Sequence, residues 1–298
     1  MTSVPLSRQT SPLPAIGLML LAVALFALMD AGLKLLSAHY PPLQVATLRG
    51  LSSLPFVLVW ALLTVPPRSL LRVHWSLHLL RGALGIAMMV GFVYGLRQMP
   101  MSTAYAIAFV APLLVTAMAG PVLKEKVGAQ RWVAIAIGML GVLVILRPNG
   151  EGFPIRAGLA VLVSAACYAG NSLTVRVLAQ RDSTQAMVVW MLTLLSLGAG
   201  MLALPQWQPL RWDDAAIIAG VGVVGGLGQV ALTEAFRRGE ASLIAPLEYT
   251  ALIWVVGLDL AVWGVLPDMV TWLGAGIIIA SGFYLLRREQ VHAEAEHP

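Results

Sequence analysis

The stretch 94–148 reads YGLRQMPMSTAYAIAFVAPLLV…RWVAIAIGMLGVLVILRP, and residues 234–288 read EAFRRGEASLIAPLEYTALIW…TWLGAGIIIASGFYLLRR. Laid on one another at an offset of 140, Ser102 meets Ser242, Trp132 meets Trp272 and Arg147 meets Arg287. An offset of 141 puts Gly17 on Gly158, Asp30 on Asn171 and Gly141 on Gly282. The near-constant offset points to an internal duplication, and each copy is apolar on the scale of whole membrane spans.

A bilayer core takes about 20 apolar residues of helix. Ten such segments can be marked: 14–37, 43–65, 75–96, 102–123, 130–147, 156–178, 184–204, 214–236, 241–264 and 269–287. The gaps carry Pro41-Pro42, Pro66-Pro67, Pro100, Pro148-Asn149-Gly150, Pro205, Pro209 and Pro267. Barrel strands would alternate in stretches of about ten residues, and this chain has none. The expected fold is therefore an all-α integral membrane protein of ten transmembrane helices. Five spans per copy is an odd number, so the halves 14–148 and 154–288 take opposite orientations, a 5+5 inverted repeat of the kind found in secondary transporters. Residues 1–13 and 289–298 remain as short tails.

Composition agrees. Of 298 residues 59% are hydrophobic and 11% charged, with a mean hydropathy of +0.83. A soluble domain carries roughly 25% charge. The net charge of +5 is spread over short gaps, not gathered in a patch interleaved with aromatics, so no nucleic-acid partner is expected. The one cysteine, Cys167, allows no intrachain disulfide and no CxxC metal site. The first apolar run is too long for a signal-peptide core.

Loop charges give the orientation. One side carries Arg8, Arg68, Arg72, Lys124, Lys126, Arg131, Arg176, Arg181, Arg237, Arg238, Arg287 and Arg288. The other carries Arg97, Arg147, Arg156 and Arg211. Twelve against four places both termini in the cytoplasm, with the chain in a bacterial inner membrane.

Three stretches then resemble a known family. These are ATLRGLSSLPF with Arg49, MSTAYAIAFVAPLL through KEKVGAQRW to IGMLGVLVILRP, and RRGEASLIAPLEYTALIWVVG followed by WLGAGIIIASGFYLLRR. They resemble the EamA-type carriers of the drug/metabolite transporter superfamily, over about residues 14–288, and within it the YddG-type amino acid exporters. One departure stands out. The family repeats a loop glutamate in both halves; here Glu125 is present but the matching position is Val265.

Ionisable residues inside spans point to function, because charge in hydrocarbon is costly. Asp30 and Lys34 are four apart and share a helix face, either as a structural pair or at a cavity. Arg49 lies in the second span, Arg81 in the third, Glu234 near the end of the eighth, and Glu248 and Asp259 in the ninth. Arg81 and Glu234 are expected to snorkel to an interface, and Asp259 to sit near a wet face. Asn171 is the repeat partner of Asp30. Pro112 and Pro246 fall inside corresponding spans, as hinges of a transport path or as static kinks. Gly91-x-x-x-Gly95 and Gly222-x-x-x-Gly226 are close-packing patterns. Tyr94, Tyr105, Phe109, Tyr168, Tyr249 and Trp254 would line the central space if the family fold holds. Trp75, Trp132, Trp207, Trp212 and Trp272 read as an interfacial belt.

No catalytic pattern competes. Gly220-Val-Gly222-Val-Val-Gly225 matches GxGxxG but lies mid-span with no strand before it. Neither a GxSxG, HExxH or Walker A pattern nor a filter-like ring of charges is found. The expected function is a carrier, not an enzyme, with no cofactor and no metal. By resemblance the solute is an amino acid with an apolar or aromatic side chain, exported by alternating access. Asp30 or Glu248 would accept its ammonium, and Lys34, Arg49, Arg81 or Asn171 would hold its carboxylate. A nucleotide sugar or drug is the alternative cargo. The partners are the small-molecule substrate and membrane lipid; oligomeric state, coupling ion and exact solute stay open at this point.

Overall fold

The computed structural model describes residues 13–123, 128–147, 153–238 and 245–296. Glu125, Lys124, Lys126, Arg8 and Ser242 lie outside these. Described residues form helices and turns, with no strand among them. The helices are α1 (Leu13–Leu36), α2 (Pro42–Thr64), the short α3 (Pro67–Leu71), α4 (Trp75–Gln98), α5 (Met101–Ala108), α6 (Ala111–Leu123), α7 (Ala129–Leu146), α8 (Ile155–Leu178), α9 (Thr184–Ala203), α10 (Ala215–Arg238), α11 (Ala251–Trp263) and α12 (Met269–Glu296).

Among the described residues nine segments are long and apolar enough to cross a bilayer. The tenth expected span is shorter, Met269–Leu285. Its apolar run stops at Arg287, but the helix does not. The expected C-terminal tail is helical to Glu296, because RREQVHAEAE is built almost wholly of good helix formers.

Prolines punctuate the ends, as their missing N–H allows. Pro42 opens α2 and Pro67 opens α3. Ser183 caps α9, its hydroxyl accepting from the Ala186 amide at 3.2 Å. The fourth span is broken into α5 and α6 at Phe109–Val110, just before Pro112. The proline has no N–H to bond the Ala108 carbonyl, and its ring crowds that turn. The ninth span begins as a 3-10 turn, Ala245–Thr250, that holds Pro246 and passes into α11.

The helices sort by packing. α1 lies along α10, α2 along α9 and α10, and α4 along α8 and α9, so these six form one continuous group. α7 lies along α12 as a separate pair. The two broken spans stand between: α5–α6 touches α8 on one side and α7, α11 and α12 on the other, while α11 touches α1 and α5.

Small residues set the approach of the helices. Gly91 of α4 faces the Ala160 carbonyl of α8, Gly222 of α10 faces Ser52 of α2, and Gly226 faces Phe56. α7 and α12 approach glycine to glycine. A Cβ on Gly141 would lie 2.9 Å from the Gly274 carbonyl oxygen, and one on Gly274 would lie 2.7 Å from that of Gly141. Backbone cannot yield as a side-chain tip does. Gly141→Val should therefore cost about 1–3 kcal/mol of stability by overpacking, seen as a lower unfolding midpoint in detergent. Gly220→Ala, where nothing lies within 4 Å, should leave the midpoint in place; an equal fall in both would refute the packing argument.

Candidate functional site

Asp30 is the first polar group met inside the six-helix group. It sits on α1 and is only 7% exposed. Tyr105 of α5 donates its hydroxyl to the Asp30 carboxylate at 2.6 Å. Arg49 of α2 donates Nε to the Met29 sulfur at 3.5 Å and acts electrostatically on both Asp30 and Tyr105. One carboxylate and one phenol are thus bonded across α1 and α5, with the Arg49 cation of α2 within electrostatic reach.

A row of aromatic rings starts at this cluster. Phe92 meets Tyr105 at 5.7 Å between centroids, Tyr105 meets Phe109 at 6.1 Å, Phe109 meets Tyr249 at 5.1 Å and Tyr249 meets Phe283 at 5.4 Å. The first three contacts are edge-to-face, a favoured geometry for rings. The row crosses from α4 through α5 and the 3-10 turn to α12. At its far end Tyr249 and Phe283 line a groove of about 600 Å³ with Pro246, Ile253, Trp272 and Ile279. The Tyr249 hydroxyl is buried against Gly282 and has no hydrogen-bond partner among the described residues.

Glu248, one residue away, has no hydrogen-bond or ion-pair partner among the described residues, and its charge bears on the hydroxyls of Tyr168 and Tyr249. Tyr168, on α8, is 41% exposed.

Other expected site residues go elsewhere. Asn171 accepts from Arg81 Nε at 2.9 Å, and Arg81 Nη1 donates to the Met187 carbonyl at 3.2 Å. Arg81 is 6% exposed, so it does not snorkel: its guanidinium finds fixed acceptors on α8 and α9 before it could reach an interface. Tyr94 is partly buried in the general core; two residues from Phe92, it faces away from the ring row. Trp254 is 46% exposed on the stripe of α11 that carries Ile253 and Leu260. Phe92 and Phe283 belong to the row, yet sequence reading passed them over. Only their spacing from Tyr105 and Tyr249 in three dimensions distinguishes them from packing residues.

The Asp30–Lys34 pair, one of the two readings of their spacing, does not form. Asp30 is held by Tyr105, and Lys34 extends the other way. Its ammonium donates to the Met99 carbonyl at 2.9 Å, lies 3.6 Å from Asp259 and stands over the Trp263 ring at 4.6 Å. Asp259 is not wet either. It is 0% exposed and accepts from the amides of Met101 at 3.0 Å and Ser102 at 2.7 Å and from the Ser102 hydroxyl at 2.7 Å. Those amides are the orphan donors at the start of α5, and they draw the carboxylate inward. Glu234 bonds Arg238 at 3.0 Å, four residues on.

Two polar clusters brace the ends of the six-helix group. At the end bearing the α1–α2 connection, Asp214 takes His39 at 3.1 Å and Tyr40 at 2.8 Å, and Gln44 is bonded to Gln208. At the opposite end Asp182 takes His74 at 2.8 Å and His78 at 2.9 Å. Burial pushes the Asp182 carboxyl up, but the hydrogen bonds from His74 and His78 outweigh it and leave it below its ordinary value. A depressed carboxylate stabilises the fold above its unfolded pKa of about 3.9 and loses that contribution as the pH falls through the folded value. Asp182→Asn should lower the unfolding midpoint at pH 7, and the gap from the parent should close towards pH 3. A gap that persists there would remove the ionic contribution.

The EamA-like transporter family matches the chain twice, over residues 13–147 and 155–287. A riboflavin transporter of Vibrio cholerae is 31% identical over 98% of this chain and 99% of its own length. The pseudopaline exporter CntI of Pseudomonas aeruginosa is 27% identical, with 92% and 96% covered. An S-adenosylmethionine uptake transporter of Rickettsia prowazekii is 26% identical, with 93% and 94% covered. A crystal structure covering 93% of this chain and 96% of its own superposes with a TM-score of 0.63 at 18% identity, a likeness of fold alone. The chain thus belongs to the EamA-like transporter family, and it is a multi-pass membrane transporter of small metabolites.

Proposed function

We propose that the chain carries a small amphipathic metabolite with a flat ring system, and that riboflavin is the first solute to try. The observation behind this reading is the row of rings from Phe92 to Phe283 passing the Asp30–Arg49 cluster. Planar apolar surface stacks on such a row, while the carboxylate and guanidinium take a polar edge. The likeness to a riboflavin transporter along nearly the whole chain supports it. The amino acid reading from the sequence survives as a second proposal, since Asp30 and Arg49 match the two charges of a zwitterion. The three relatives above are named for other solutes, so amino acid export rests on that cluster alone. Counterflow into proteoliposomes should show protein-dependent exchange of riboflavin ahead of phenylalanine and methionine, and little of a nucleotide sugar. Exchange of the nucleotide sugar alone would overturn both readings.

The solute binds between two inverted five-helix halves. Support comes from packing: exchanging the halves maps α1 on α10 onto α8 on α4, and leaves the pairs α2–α9 and α7–α12 in place. Phe109 and Tyr249, repeat mates at an offset of 140, touch each other near that pseudo-axis. With both termini cytoplasmic, cysteines placed at Arg68 or Arg181 on a Cys167→Ser background resist an external thiol reagent in whole cells. Labelling from outside would sink this topology.

A further inference from the structure

The two broken spans each contribute one half-helix to the same end of the molecule. α5 runs from Met101 at that end inward to the break at Phe109–Val110, and α11 runs from the 3-10 turn out to Trp263. Asp259 ties the two tips together, since it projects from α11 and takes both amides at the start of α5. Negative charge at a helix N-terminus is further favoured by the helix dipole. Below this tie, each half-helix meets a break in regular α-helix: the turn before Pro112 in one, and the change from 3-10 to α-helix in the other.

Among the described residues, two polar contacts fasten the α5–α11 pair to the six-helix group at α1. One is Tyr105 to Asp30 in the interior. The other is Lys34, whose ammonium lies 3.6 Å from Asp259 of α11 while it also donates to the carbonyl of Met99, the C-cap of α4. Lys34 and Asp259 also line a recess of about 240 Å³ with Arg97, Met99, Pro100 and Trp263, so the fastening faces an opening. The His74–His78–Asp182 and Arg81–Asn171 contacts differ in kind, because they join helices within the six-helix group.

We propose that Lys34 is the latch of a gate at the α1–α2 end, and that the gate leaf is the α5–α11 pair held together by Asp259. Releasing Lys34 lets the pair swing at its two breaks and opens the interior ring row to that side. The bond between Tyr105 and Asp30 is the inner fastening, so a cationic solute group that takes Asp30 loosens the same leaf. This deepens the transporter reading, but its test does not depend on which solute is carried.

The test reads access, not transport. Ala108, partly buried at the inner end of α5, becomes the reporter as Ala108→Cys on a Cys167→Ser background. A charged, membrane-impermeant thiol reagent is applied to vesicles from the face on which a Trp212→Cys marker reacts; Trp212 is 93% exposed at the α1–α2 end. Lys34→Met and Lys34→Gln should each raise the reporter's modification rate at least tenfold. Lys34→Arg should stay near the parent, and so should His74→Ala, which loosens a contact inside one group. Unchanged rates in both Lys34 variants overturn the latch, as does an equal rise in His74→Ala. If neither Lys34 variant accumulates as folded protein, Lys34 is a structural staple and the assignment falls.

Discussion

Asp30→Asn lowers the rate of solute exchange by about ten- to a hundredfold, while the protein inserts and stays monodisperse. Asparagine keeps an oxygen for the Tyr105 hydroxyl, which now bonds at 2.6 Å, so the local fold survives. What it removes is the negative charge that Arg49 senses and that a solute cation would meet. A hydrogen bond to a charged group is worth about 1.5–3 kcal/mol, which gives the stated range. The measurement is exchange in proteoliposomes beside size-exclusion profiles of the same preparations. Normal exchange by well-folded Asp30→Asn protein would take Asp30 out of the transport path. A loss that tracks poor folding would make it structural.

Arg81→Leu has the opposite profile. Arg81 lies in the transmembrane helix α4 and joins it to α8 through Asn171 and to α9 through the Met187 carbonyl. Leucine leaves the buried Met187 carbonyl without this donor, at about 1–3 kcal/mol, and the half-buried Asn171 amide likewise at a smaller cost. The unfolding midpoint should fall by several degrees, and exchange per folded molecule should hold within about twofold, an order-of-magnitude bound for a residue remote from the ring row. Retained stability with lost exchange would return Arg81 and Asn171 to the solute site.

Why some of this was readable and some was not follows from the residues. Apolar runs of span length are a one-dimensional signal, and nine of the ten expected segments meet span length and hydropathy among the described residues. The breaks near Pro112 and Pro246 were visible because proline acts on its own turn. Pairings were not. Asp30 and Lys34 have the spacing of a helix pair, but Tyr105, 75 residues on, competes for the carboxylate, and Asp259 competes for the ammonium. Arg81 looked free to reach an interface only because its acceptors, Asn171 and Met187, come 90 and 106 residues later. Single-residue chemistry is legible in sequence; which of two partners wins is a question of tertiary distance. The same holds for Phe92 and Phe283, which join Tyr105 and Tyr249 only through the crossing of four elements.

The bond between Asp259 and the start of α5 also bears on how the chain is made. The carboxylate that caps Met101 lies 158 positions downstream. At a ribosomal rate of about 5–20 residues per second, that interval is roughly 8–30 s. Throughout it, the fourth span has entered or approached the bilayer with its leading amides lacking their final partner, and unsatisfied backbone in lipid costs several kcal/mol each. Those amides must meanwhile stay in contact with water or with the insertion machinery. Met101 opens α5 beside the recess lined by Met99 and Pro100, so water at that end supplies the missing partner until the ninth span arrives.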